Sequence, residues 1–231
     1  MKTSLLLVSS LVLSVANSWA VDSDSASTTI PVVLSRGIDS KRAKAGDPIE
    51  AKTTQAVHLD SATEVPKNAK VTGRIVSVTS VSEKQLPVLS IAFDRLTLSN
   101  GAQMPVTVSL RAAASPMEAF DAQIPVTGPD EGTSEWAWST TLIGGGERHG
   151  VGGVAVDARG NEDRNAVGIF SSDARGLYGM DGLAIQNTDE PGIIGLTSSS
   201  HRLRMPKGTV LLLQLTGLRA SHSELLSSTK Q

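Results

Sequence analysis

The chain has no cysteine, so no disulfide can staple it and burial of apolar side chains must hold the fold together. Aromatic residues are only 3% of the total, which argues against an autonomous outer-membrane barrel with aromatic girdles at both interfaces. Paired-Cys motifs, HExxH, GxSxG and GxxxxGK[ST] are all missing, and the four His (His58, His149, His201, His222) fall at no metal-ligand spacing. No metal or cofactor is therefore expected. The formal charge is −2, and one unit more negative without Lys2. A weakly acidic chain lacks the basic footprint of a nucleic-acid binder.

The one long apolar run is at the start. Met1–Ala20 has an early Lys2, an apolar stretch from Leu5 to Ala16, and Ser18-Trp19-Ala20 before a Ser- and Asp-rich segment. That is the layout of a secretory signal peptide cleaved after Ala20, and the run is too short to span a bilayer. The expected product is exported, periplasmic or secreted, with association to the outer membrane as one form of it, and with no transmembrane helix in the mature chain. Residues 21–29 read as a flexible lead-in.

What remains is rich in Gly, Ser, Thr and Val, and short apolar runs alternate with turn residues, which points to an all-β, antiparallel barrel or sandwich-like domain. The opening half spans 30–110. Ile30–Ser35 contains Pro31, which suits a strand start or an edge that could pair with a second copy. From Ile49 to Leu59 apolar and polar residues alternate, placing His58 on the polar face. The pattern of Val71–Val81 switches face between Ile75 and Val76, as a bulge would cause, and Val88–Leu98 switches near Asp94-Arg95. Asn100-Gly101 predicts a type I′ hairpin turn.

One motif recurs. Val65–Ile75 (VPKNAKVTGRI), Ala43–Ala51 (AKAGDPIEA) and Met205–Leu213 (MPKGTVLLL) each place a Lys and a turn residue before an apolar run. Pro66 fixes φ, and Asn68, like Gly208 in the third copy, tolerates the positive φ that such turns require. Val210–Leu215 is nearly all apolar, as expected of a strand covered on both faces. Residues 111–176 form a Gly/Ala/Ser-rich insertion, either loose or built of weak strands with Gly-rich corners. The second half of the domain is 177–218, and 219–231 is a polar tail.

Candidate chemistry is sparse. Trp136 and Trp138 lie two apart, so on a strand they face one side and could stack on a sugar or dock a partner, or form a small satellite core. Gly144–Gly150 (GGGERHG) could cradle an anion but lacks a following helix, so it reads as a loop tip. Asp94, Asp121, Asp157, Asp173 and Asp181 could supply a glycosidase pair if two of them converge.

The segments IPVVLSRGIDS, EAKTTQAVHLD, EVPKNAKVTGRI and LSIAFDRLTLSNGAQMPV, followed by ARGLYGMDGL and RMPKGTVLLLQL, resemble the C-terminal β-barrel domain of TrbI-type conjugation and type IV secretion scaffold proteins, in the form found in small secreted bacterial proteins. The likeness covers Ile30–Leu110 and Ala174–Leu218. It implies a barrel fold and a role in an envelope assembly. Residues and resemblance together predict an exported, non-enzymatic envelope domain with a structural or binding role and an envelope protein or surface as partner. The alternative is an envelope glycan hydrolase that uses loop carboxylates.

Overall fold

The computed structural model describes residues 28–59, 63–79, 86–98, 100–127, 139–149, 153–186, 188–200 and 202–218. Residues 1–27, Trp136, Trp138, His201, His222 and the polar tail lie outside them. The first half carries β1 (Thr29–Leu34), β2 (Ile38–Asp39), β3 (Pro48–Thr53), β4 (Val57–His58), β5 (Glu64–Val65), β6 (Lys70–Thr79), β7 (Val88–Thr97) and β8 (Gln103–Ala114). A single helical turn α1 (Pro116–Asp121) and short strands β9 (Pro125–Thr127), β10 (Ser139–Thr141), β11 (Glu147–His149) and β12 (Ala155–Val156) follow. The chain closes with β13 (Gly176–Tyr178), β14 (Leu183–Gln186), β15 (Ile194–Ser198), β16 (Arg204–Met205) and β17 (Val210–Leu218).

Six of these strands form a closed antiparallel barrel in the order β1-β3-β6-β7-β8-β17, with β17 returning to β1. Closure between β7 and β8 uses only Arg95–Thr97 against Gln103–Pro105. Beyond that seam the two strands part. β15 continues the sheet from β7 with β14 outside it, and β13 adds to β8 in parallel. The domain is therefore all-β, a closed barrel with extra strands.

Alternation explains the core. Ile30, Val32 and Leu34 of β1, Ile49 and Ala51 of β3, Val71 and Ile75 of β6, and Leu211 and Leu213 of β17 are all buried in one cluster with Phe93, Leu89, Ile91 and Leu196. On β17 the intervening residues are buried as well. Val210 and Leu212 join Ala112, Ala114, Ile143, Phe170 and Ala174 in a second cluster on the outside of the barrel. This second core is what the 111–176 segment builds, and it explains why β17 reads as continuously apolar.

Bulges set the twist. Ile75 pairs with Ile91 and Ser77 with Ser90, so Val76 is an extra residue; Thr72 pairs with Arg95 and Gly73 with Phe93, so Asp94 is extra on the other strand. Each interruption of the period-two pattern in the sequence marks one of these inserted residues.

The recurring motif has one geometry. The turns Lys44–Asp47, Pro66–Ala69 and Pro206–Thr209 each close with a hydrogen bond from the fourth N–H to the first carbonyl, at 3.1, 3.3 and 3.2 Å. Their third residues have positive φ, 91° at Gly46, 67° at Asn68 and 88° at Gly208. Each turn then docks on a strand end through two backbone bonds. Asn68 N–H donates to Thr53 O and Thr53 N–H to Ala69 O, and Gly208, Leu34 and Thr209 repeat the arrangement, as do Gly46, Ile75 and Asp47. Thr53 adds a side-chain clamp, its hydroxyl donating to Pro66 O at 2.7 Å and accepting from Ala69 N–H at 2.9 Å.

Two expectations are corrected. β1 is no edge, because β17 and β3 flank it on both sides. Pro31 fits there because its carbonyl side faces Thr54, whose N–H it accepts at 2.9 Å, one position before the first β1–β3 pair at Val32. The missing proline N–H thus falls at the end of the β1–β3 ladder, while Pro31 still pairs with Leu212 of β17. The Asn100-Gly101 hairpin is also not a type I′ turn. Of Asn100 and Gly101, only Gly101 has positive φ, at 81°. Gly101 N–H donates to Leu98 O and Leu98 N–H to Ala102 O, the pattern of a three-residue loop with glycine at its left-handed position. Asn100 instead caps the turn with its side chain, accepting from Ala102 N–H at 2.9 Å.

Candidate functional site

The carboxylates singled out in the sequence are dispersed among structural tasks. Asp94 pairs with Arg74 across the bulge. Asp121 ends α1, and Asp181 lies in the turn before β14. Asp157 shares a recess with Glu147 and His149, since Glu147 of β11 pairs with Val156 of β12. Both Asp157 oxygens are engaged there: Oδ1 accepts from Arg159 N–H and Asn161 N–H, and Oδ2 from the Asn161 amide. The backbone N–H of Asn161 chiefly, and then that of Arg159, hold its carboxyl below the usual range, which suits a turn anchor and not a proton donor. Among the described residues no three His, Asp or Glu side chains gather as a metal site would require.

The Gly-rich loop is a corner. Gly144, Gly145 and Gly146 all have positive φ and turn β10 into β11. Arg148, the cation of that loop, is tied down by carbonyls, donating to Gly153 O and Gly168 O at 3.0 Å each. It is not free to meet an anion.

Two other features stand out. The first is apolar. Ser115 caps α1 by accepting Glu118 N–H at 3.2 Å, Pro116 opens the helix, and Ala119 and Ala122 face the core. This turns Met117 and Phe120, three apart on one face, to solvent, 68% and 60% exposed, with Ile124 just beyond at 45%. Large apolar side chains left exposed side by side mark contact surfaces. The sequence spells the cap as Ser115-Pro-Met-Glu118, a capping-box pattern that the composition of the insertion hides.

The second is basic. A cleft of about 570 Å³ opens where residues 163–175 pass the barrel, and it is lined by Arg111, Arg164 and Arg175 together with Gln55, Asn165 and Ser172. Arg111 is placed by a bulge. Leu212 pairs with Ala112 and Leu213 with Leu110, which leaves Arg111 as the extra residue of β8. On the other side of β8, Gly176 of β13 lies opposite Ala112 in parallel register, so Arg175, one residue earlier, comes beside Arg111. The Arg111 Nε is buried without a hydrogen-bond partner. Burial lowers the pKa of its guanidinium, the charge of Arg175 adds to that, and Asp173 and Asp163 act in the opposite sense.

Neither a protein-family model nor a curated protein matches the chain. Fold and surface thus define it as a closed six-stranded antiparallel barrel domain bearing an outer layer, an apolar corner and a basic cleft.

Proposed function

We propose that the chain is an exported, non-enzymatic envelope domain that acts through contact, with a structural or protein-binding role. The observation that carries this reading is the exposed Met117–Phe120–Ile124 corner, held out by a capped helical turn on a rigid barrel. A barrel interior filled by Phe93, Leu89, Ile91, Leu211 and Met205 supports a scaffold that presents its surface. The leader pattern of Met1–Ala20 supports export. The resemblance of Ile30–Leu110 and Ala174–Leu218 to TrbI-type scaffold domains supports an envelope protein, in a conjugation- or secretion-type assembly, as the partner.

The test is crosslinking in cells. With a photo-crosslinker at Ile124, the full chain forms a defined envelope complex, and mass spectrometry finds its mature N-terminus at Val21. A Met117→Ser/Phe120→Ser variant keeps its thermal midpoint and loses that complex. An unchanged crosslink in the variant, or release of sugar from envelope glycan by the purified protein, removes the reading.

A further inference from the structure

Arg111 and Arg175 present an unresolved electrostatic problem. The two arginines line one cleft, the charge of Arg175 acts on Arg111, and Arg111 carries a buried donor that meets no acceptor. A buried donor left unpaired is destabilising, more so when charged, and arginine cannot escape by losing its proton. Nearby acids do not resolve it: Asp173 and Asp163 each act on Arg111 less strongly than the opposing charge of Arg175. Both Asp163 oxygens accept backbone N–H groups, from Asn165 at 3.2 Å and Ser172 at 2.7 Å. Glu162 accepts from Arg164 at 3.1 Å. Among the described residues, no carboxylate forms an ion pair with Arg111 or Arg175.

We propose that this cleft binds a phosphate-type oxyanion, either inorganic phosphate or a phosphate monoester, between Arg111 and Arg175. Neighbouring strands lie about 4.8 Å apart, a spacing that lets two guanidinium forks reach one tetrahedral group. The charge also fits. A dianion balances two fixed cations, whereas a single carboxylate is planar and fills one fork. Ser172 and Asn165 line the same cleft and supply neutral donors for the remaining oxygens. The bulge is the device that makes the site, since it takes Arg111 out of the ladder register and leaves its side chain to be re-aimed. This site is independent of the apolar corner at Met117 and Phe120, and either can fail without the other.

Isothermal titration of the full chain with inorganic phosphate and with glycerol 3-phosphate tests it, with acetate and chloride at matched ionic strength for comparison. Saturable binding of phosphate or its ester is expected, weakened about tenfold or more by Arg111→Gln and by Arg175→Gln. Arg175 is solvent-exposed, so its variant keeps the question open even if Arg111→Gln unfolds. Arg95→Gln, at an exposed position of β7 outside the cleft, is expected to bind as the parent does. Tighter binding of the ester identifies a phosphate carried on a larger ligand, and equal or weaker binding identifies the free ion. The proposal is overturned if neither compound binds, if acetate binds as well as phosphate, or if the Arg95 variant loses as much affinity as the other two.

Discussion

Asp39 and Arg202 stand 163 residues apart and meet as a two-point ion pair, Arg202 Nε donating to Oδ1 at 3.0 Å and its terminal nitrogen to Oδ2. The Asp39 carboxylate is 6% exposed and the Arg202 side chain 46%. Around them β2 pairs with β16, and Ser40 exchanges bonds with Leu203. The pair thus ties the polar connection after β1 to the approach of the last strand, at the point where the barrel must close.

Asp39 should give the chain a defined acid sensitivity. The Arg202 hydrogen bond is the main reason its pKa falls from 3.8 to about 2. A carboxylate whose folded pKa is depressed contributes stability that is fully present above the unfolded value and is lost as pH falls from there through the folded value. Urea unfolding followed from pH 6 to pH 2 is expected to show this loss between about 4 and 2. In Asp39→Asn that component should vanish, and the variant should be about 1–2 kcal/mol less stable at pH 6, given that the Arg202 head is half in water. Parallel pH profiles for the two proteins would refute the assignment.

The repeated turn makes a second prediction. Asn68 is the one non-glycine among the described residues with positive φ. Asn68→Gly removes the Cβ penalty while adding freedom to the unfolded chain, so the midpoint of denaturation should move by no more than about 0.5 kcal/mol. Asn68→Val should cost about 1–2 kcal/mol, because a β-branched side chain is poorly tolerated there. Gly208→Ala should behave like the valine variant for the same reason, even though a Cβ there meets only Pro116 at 3.6 Å. Equal stabilities for the Gly and Val variants would show that Asn68 does not hold this conformation in solution.

Much of this was readable because period two is unforgiving. One inserted residue flips every later side chain, so the bulge at Val76 and the one at Asp94 both leave a visible break in the alternation. The hairpin at Gly101 was readable as a turn but not by type, because loop length depends on where Leu98 and Ala102 pair. Arg111 left no trace. Its bulge arises from slippage against Leu212 and Leu213, a partner strand chosen only when the barrel closes, and the run Ala112–Ala114 beside it carries no alternation to interrupt. Arg175 was equally hidden, since its neighbour is set by a parallel pairing with β8. The fold was legible where it is local, and the cleft was not because each of its cations is placed by a distant strand.

Gly73 is where local and distant constraints coincide. It sits between the two bulges of the β6–β7 pair, and β7 approaches so closely that a Cβ on Gly73 would lie 2.0 Å from the Ala92 carbonyl oxygen and 2.7 Å from Phe93 Cα. Those are backbone atoms in the barrel wall, beside the fully buried Phe93 ring, and no rotamer change relieves them. Gly73→Ala must therefore push β6 and β7 apart or shift a bulge, at a cost of about 3 kcal/mol or more, near the upper end for overpacking. Gly217→Ala, in the open at the end of β17, provides the contrast, since nothing lies within 4 Å of its added methyl. Urea midpoints for the two variants should differ accordingly, with Gly217→Ala within about 0.5 kcal/mol of the parent. If Gly73→Ala is equally mild, the two strands do not meet at the separation that the bulges impose, and the register of the whole β6–β7 wall would have to be redrawn.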